Sequence, residues 1–410
     1  MPQARADMMP SQGGGRPPRL RTGETELSNA YRFMKVLTAC GLSLALLAAA
    51  PAAWGATRNV EVTSRTVQWN PEDRSEARTG ELQWAGGIEL TSTDKEFGGW
   101  SGLAVSADGS TLLSVSDTGN WLTAIMLYDE RGRLSGIAEA RMAPMLGLDG
   151  KTVSGGKTLG DAEGLAVEMT ATDSLMGKAY VSFERAHRIW RYDLTRKGAD
   201  AVPEQLLTQR HFGRLNSNGG LESIALLPSG DEDRAPRILA ITEDTLDPRG
   251  NIRGFIADGH DIAWFGVKPH EPFKPTDMAR LPGGDILLLE RRYSVLGGVG
   301  MQIRRIAGSS IEPDTVIDGE VLVNVGQRYS IDNMEGLAVR EDENGDLLIY
   351  MISDNNFNPL QRTLLLMFRL AANSDEPRTG ESEVTLPRTR EADEPSNEAD
   401  TSEEAGREPS

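Results

Sequence analysis

Nine carboxylates recur at two fixed places in a repeated stretch of this 410-residue chain. Glu163, Glu222, Asp277 and Glu335 stand at the start of one short apolar run, and Asp117, Glu184, Glu243, Glu290 and Asp354 end the next. Like charges brought together repel, so such a set calls for a divalent cation, arginines or raised pKa values. Calcium is the expected cation, because it takes carboxylate and amide oxygens in large, adaptable shells. Arginines interleave with the second group: Arg185 and Arg188 follow Glu184, Arg291 and Arg292 follow Glu290, and Arg362 follows Asp354. Their planar forks suit a phosphate or another anionic ester group. Glu184, Glu290 and Asp354 are therefore the candidate catalytic acids. Glu163, Glu222, Glu335, Asp117 and Glu243 are the candidate metal ligands, and Arg185, Arg291, Arg292 and Arg362 the candidate substrate anchors. The competing reading is architectural, with acids capping strand ends and arginines bridging neighbouring sheets.

Two further acidic runs have different signatures. Asp354-Asn355-Asn356-Phe357-Asn358 places four oxygen-bearing side chains in five residues, which suits either a calcium loop or an ordinary turn. Asp342-Glu343-Asn344-Gly345-Asp346 reads as a hairpin turn, since it lacks the length of an EF-hand loop. Other catalytic classes find no footing. Ser101 is followed by Gly102-Leu103, not the G-x-S-x-G elbow, and His187, His211, His260 and His270 form no zinc-binding pair. There is no phosphate-cradling glycine loop and no dinucleotide fingerprint.

The elements that must position these acids are short strands. SGLAVSADGSTLLSVSD, EGLAV…KAYVSFE, ESIALLPSG…RILAITE, TDMARLPGGDILLLE and EGLAVREDENGDLLIYMISD are five copies of one pattern. From Gly102 through Gly164, Ser223 and Asp277 to Gly336 the steps are 62, 59, 54 and 59 residues. Each copy continues into two more strand-like runs, and turn residues such as Asp108-Gly109 and Asn344-Gly345 separate the apolar stretches. This predicts an all-β chain, a β-propeller of five four-stranded blades, with six as the alternative if residues 58–69 or a loop-rich repeat add a sheet. The fifth copy lacks a fourth strand. Glu81 to Ser92 can supply it, closing the ring by pairing the two chain ends at Thr363 to Leu370. Equivalent acids would then converge on one end of the central channel.

GGWSGLAVSADG, DAEGLAV, YVSFERAHRIWRYDL, GGLESIALLPSG, FKPTDMARLPGGDILLLERRYS, DNMEGLAV and ISDNNFNPLQRTLLLMFRL occur in this order. Together they resemble the phytase-like domain of exported bacterial proteins, the family described by an esterase-like activity of phytase. The resemblance covers about residues 82–370. It implies a β-propeller and, by more distant analogy with β-propeller phytases, calcium-assisted phosphoester hydrolysis.

The ends of the chain read differently from its middle. Met34-Lys35, an apolar run from Val36 to Ala50 and small residues to Gly55 form a signal-peptide pattern over 34–55, with a mature start near Ala56. Residues 1–33 read as a disordered or mis-assigned upstream extension. Cys40, the single cysteine, sits ahead of most of the apolar run, unlike a lipoprotein cysteine. Residues 371–410 read as a disordered acidic tail, with twelve acids against four arginines from 373 onward. Of the formal charge of −18, about −13 remains on residues 56–372, which argues against nucleic acid as a partner. The expected protein is a periplasmic or secreted monomer with no stable membrane span, taking a small anionic or phosphorylated substrate. Two functions stay open: a calcium-assisted hydrolase of phosphate or related anionic esters, or a non-catalytic propeller that binds a ligand or envelope protein.

Overall fold

The computed structural model describes residues 57–370, apart from 154–156, 171–173, 218, 232–233 and 295–296. The predicted signal peptide, Cys40, the upstream extension and the acidic tail lie outside the described residues. What is described is a β-propeller built almost wholly of strands. Each repeat supplies an inner strand: Trp100–Val105, Ala162–Glu168, Leu221–Leu227, Lys274–Arg280 and Asn333–Glu341. These five neighbour one another in chain order, and the last returns to the first, closing a ring around a central axis.

Outward from each inner strand the pairing is antiparallel. The first unit runs through Thr111–Ser116 and Asn120–Tyr128 to Leu134–Pro144, and the second through Lys178–Phe183 and Arg188–Asp193 to Glu204–Thr208. The third and fourth units follow the same order. In the last unit Leu347–Asp354 and Thr363–Leu370 are followed by Leu82–Ser92 from the front of the chain, in antiparallel register from Thr363 opposite Leu90 to Leu370 opposite Leu82. The expected closure by the two chain ends is present. Residues 58–66 add edge strands to existing sheets: Arg58–Asn59 pairs with Leu134–Pro144 and Val62–Thr66 with Leu82–Ser92. A single parallel pairing of Gly86 with Leu134 joins the last and first units into one eleven-stranded sheet.

The strand sequences show why both faces are apolar. Successive side chains of a strand point to opposite faces, and here each face meets a neighbouring sheet. Leu112 packs towards the last unit with Trp100, Tyr350 and Leu365, whereas Leu113 packs towards the second with Trp121, Leu165 and Phe183. Likewise Ile349 faces the fourth unit with Leu287, Met301 and Phe368, and Tyr350 faces the first. Trp69 seals the front of the chain onto this core, 4.7 Å from the Tyr329 ring and 4.8 Å from Phe368.

Glycines set how tightly the inner ring closes. A side chain at Gly164 would begin 2.7 Å from the Glu222 carbonyl oxygen, and one at Gly336 2.5 Å from that of Ser101. Neighbouring inner strands therefore touch backbone to backbone at one end of the channel. The opposite end is a shallow cavity of about 180 Å3 lined by Leu, Ala and Val side chains such as Leu103, Val167, Leu226 and Val339. No helix of the described residues is long and apolar enough to cross a membrane.

Candidate functional site

The acids converge at the tight end of the channel because every unit breaks its ladder at the same point. Pairing between inner and second strands slips between Trp100 and Leu103, between Val181 and Phe183 opposite Glu163-Gly164, between Leu221 and Ser223, between Pro275 and Asp277, and between Met334 and Gly336. A β-bulge inserts a residue the partner strand cannot match and re-aims its side chain. The residues so released include Glu163, Glu222 and Glu335, and in the fourth unit Thr276. Asp277 is one place further on, at the small-residue position. Its buried carboxylate crosses to the next inner strand and accepts the Leu337 amide at 2.7 Å as well as its neighbour Met278 at 2.8 Å. It joins two strands and meets the acid cluster only through the charge of Glu335.

Two carboxylate triads form the heart of the site. Asp161, Glu163 and Glu184 each offer an oxygen within 4.8 Å of the other two, and so do Glu184, Glu222 and Glu243. Glu184 belongs to both. It is held by the backbone amides of Gly219 and of Gly220, the latter at 3.2 Å. Arg185, in the left-handed region at φ 46°, turns back to Asp161 at 2.7 Å. Arg291 reaches in from the fourth unit between Glu335 at 2.8 Å and Glu243 at 3.4 Å. Asn333 donates a further bond of 2.7 Å to Glu335.

Crowding and burial shift the proton equilibria. Glu163 lies well above the ordinary carboxylate value through desolvation and the charges of Asp161, Glu184, Glu335 and Asp117. Glu222 is raised likewise, by burial and then by Glu163, Glu243 and Glu184. Burial pushes Glu335 up to about 7, Arg291 opposes that rise, and Glu243 adds to it. Folded-state values above the unfolded 4.5 mean that the folded protein holds protons the unfolded chain has released. The stability from Glu335 is thus full below pH 4.5 and disappears as pH rises through about 7. In chelator the melting temperature should climb as pH falls from about 8 to about 5.5. A melting temperature that instead rises with pH over this window contradicts the clustering.

The remaining predicted residues lie elsewhere. Glu290 is fully buried in its own sheet, bound to Arg304 through contacts of 2.5 and 2.8 Å and to Gln302 at 2.6 Å. Arg304, also fully buried, further binds Asp318 at 3.1 Å and the Lys268 carbonyl oxygen at 3.0 Å. That network ties the fourth unit to the outer edge of the third, and Glu290 belongs to neither triad. Asp354 caps its own loop by accepting the Asn356 amide at 2.6 Å, while Asn355 and Asn358 accept the amides of Phe357 and Leu360. The oxygens expected of a calcium loop thus bind turn amides. Asp342 accepts the amides of Asn344 and Asp346 in the expected hairpin turn. Asp117 lies beside Gly99 at the edge of the cluster, where its charge is felt by Glu163. Arg362 pairs with Asp332 at 3.6 Å and with the Ile331 carbonyl oxygen at 3.0 Å, and Arg292 turns to Gly297. His187, the histidine inside a repeat, is buried against Gly220.

Asp161 was not among the sequence-predicted site residues. Its signal was present as the first acid of Asp161-Ala162-Glu163, but no other repeat carries an acid two places before its bulge except Asn333 as an amide. An opening of about 700 Å3 lies at the outer part of the third unit between Arg253, Trp264 and Val316, and none of the clustered acids lines it.

No curated protein matches the chain. Among solved structures it is similar to the catalytic domain of a GH62 α-L-arabinofuranosidase from Coprinopsis cinerea, at 10% identity over 71% of this chain and 97% of that one, with a TM-score of 0.43. It is also similar to an oxidoreductase described as a glucose dehydrogenase from Thermus thermophilus, at 13% identity over 75% of this chain and 100% of that one, with a TM-score of 0.33. The family comparison is more specific, matching residues 95–357, from the loop before the first inner strand to the turn after Asp354. The chain belongs to the phytase-like family, described by the esterase-like activity of phytase.

Proposed function

We propose that this protein is an exported, calcium-assisted hydrolase of phosphate or related anionic esters, working at the tight end of the channel. The observation that carries the reading is the pair of carboxylate triads sharing Glu184. Arginines neutralise only parts of this cluster: Arg291 serves Glu243 and Glu335, and Arg185 serves Asp161. Glu222 is buried, and the charge of Arg291 reaches it only as the third and weakest of three carboxylates. An all-oxygen donor set with more buried carboxylates than arginines fits a hard divalent cation. Asp161, Glu163, Glu184 and Glu222 would hold it.

When bound, such an ion polarises an ester oxygen and lowers the pKa of a water. The chain's own residues would do the rest. The Gly219 and Gly220 amides fix Glu184 as a rigid ligand, and the bulges bring Glu163 and Glu222 each into a triad with it. Arg291 holds Glu335 and Glu243 in place. Glu335, with its pKa at about 7, can accept or release a proton at neutral pH.

Calcium should raise the melting temperature, since a ligand of the folded state alone adds about 2.7 kcal/mol at a hundredfold excess over its Kd. For a chain of this size that is a rise of roughly 5 °C. Glu222→Gln should abolish most of the response while keeping the fold, because glutamine keeps the shape of the side chain and removes only a charge that Glu163, Glu243 and Glu184 crowd. Asp342→Ala should keep the response. Ester hydrolysis, read on phosphomonoester, phosphodiester and carboxylester substrates, should fall with Glu222→Gln and with chelator. If calcium and chelator move neither melting temperature nor any activity, the non-catalytic binding reading replaces this one.

A further inference from the structure

The outer part of the third unit carries a cavity of a different chemistry. In the paired strands Ile252–Asp258 and Asp261–Val267, Arg253 stands opposite Gly266, and Trp264 lies two places back along the second strand. Residues two apart share a strand face, so Arg253 and Trp264 are diagonal neighbours on it. The guanidinium carbon of Arg253 lies 3.6 Å from the centre of the indole ring, a cation–π contact. Phe255, fully buried and opposite Trp264, packs edge to face with the same ring at a centroid distance of 5.3 Å. On the outer side Val316 pairs with Gly266. Gly266 has no side chain to fill the face, so the face dips between Arg253 and Val316. Arg253, Trp264, Gly266, Val316 and Leu246 together line the opening of about 700 Å3.

Arg253 is held in place yet uncommitted. Among the described residues no oxygen accepts a hydrogen bond from its guanidinium, and Asp247 reaches it through charge alone. Both Asp247 oxygens serve their own turn, accepting the Arg249 amide at 2.7 Å and the Asn251 amide and side chain at 2.9 Å. Burial pulls Arg253 below the ordinary arginine value, and Asp247 opposes that fall. A guanidinium resting on a ring still offers its N–H edge to a carboxylate in two parallel bonds. Two arginines and two aspartates line the opening, Arg249, Arg253, Asp247 and Asp314, so their charges cancel. One negative charge suits that balance, and several do not. Leu246, 48% exposed, and Val316, 45%, supply apolar wall in the same cavity. Its volume falls within the roughly 300–1,000 Å3 of small-molecule sites.

We infer that this cavity binds a small organic monoanion: a carboxylate taken by the edge of the Arg253 guanidinium, with an aryl or alkyl body on Leu246 and Val316 over Gly266. The site is separate from the carboxylate triads, none of whose residues line it, and does not depend on the hydrolase reading.

Titration calorimetry of the full chain in chelator, where no cation at the triads can hold an anion, would compare cinnamate, acetate and cinnamylamine. Cinnamate should bind about tenfold or more tightly than acetate, which lacks the apolar body, and the amine should not bind. Arg253→Met keeps an apolar cover on the indole but removes the fork, and should weaken cinnamate about tenfold or more. Leu246→Ser with Val316→Ser, both at exposed positions, should weaken cinnamate about threefold or more and leave acetate unchanged. If Arg253→Met does not fold, this double variant still decides. No binding of cinnamate, equal binding of cinnamate and acetate, an amine bound as tightly as cinnamate, or an affinity unmoved by the folded variants would each overturn the proposal. A chain that hydrolyses no ester but passes these tests loses the hydrolase reading and keeps this site, so the two failures differ.

Discussion

A chain ended after Asp354 should not fold, whereas one ended after Leu370 should melt within about 1 °C of the full-length protein. The first truncation removes Thr363–Leu370, which pairs with Leu347–Asp354 on one side and Leu82–Ser92 on the other. Six of its eight side chains are hydrophobic and buried, Leu364, Leu365, Leu366, Met367, Phe368 and Leu370, and they join two packing layers at once. At about 1.5–3 kcal/mol for each buried large side chain, the loss rivals the whole 5–15 kcal/mol by which a domain is normally stable. The ring would also open, leaving Leu82–Ser92 with an unpaired edge. The second truncation keeps every described strand. Circular dichroism and thermal melts of both chains decide the matter, and similar behaviour of the two would rule out closure as the source of stability.

Breaking the Glu290–Arg304 pair should be the most damaging single substitution among the acids. Both side chains are fully buried, and Glu290→Ala would strand a guanidinium away from water. Removing one partner of such a pair costs about 3–5 kcal/mol, enough to lower the melting temperature by roughly 10 °C. Replacing both, as Glu290→Met with Arg304→Met, should recover much of the loss, because no charge is then left uncompensated. If Glu290 were instead catalytic, Glu290→Gln would abolish hydrolysis while leaving melting unchanged. Melting curves of the single and double variants, with activity alongside, separate the two roles.

The repeat, its spacing and the closing strand were legible because each rests on local pattern. Alternating apolar runs mark strands, Gly and Asn mark turns, and an unfinished fifth copy beside an orphan first strand calls for their pairing. What escaped was register. Alignment of the repeats put Asp277 in one column with Glu163, Glu222 and Glu335, yet the bulge in its unit releases Thr276 instead. A shift of one residue turns a strand side chain to the other face, so an acid can occupy the right column and the wrong side. Glu290 was misplaced for a related reason. Its partner Arg304 lies fourteen residues on, on the adjacent strand, and nothing marks the two as neighbours until Glu290 is set opposite Gln302. Arg291 could be nominated from its type and position, but not the two carboxylates it joins, which come from different units.

The fourth unit's departure from its siblings bears on how many ways a guest can sit. Five identical units around an axis would offer one small molecule five equivalent orientations, of which chemistry at a fixed group could use only one. Sorting among five states costs RT ln 5, about 1 kcal/mol, before any reaction begins. Here the fourth unit withholds both of its ring carboxylates, supplying Thr276 at the bulge and turning Glu290 to Arg304, and sends in Arg291. With Ser101 in place of the acid at the first unit's bulge as well, the rotation is broken twice and the degeneracy is gone. A scaffold made by repetition acquires a single front and back at the points where its copies stop repeating.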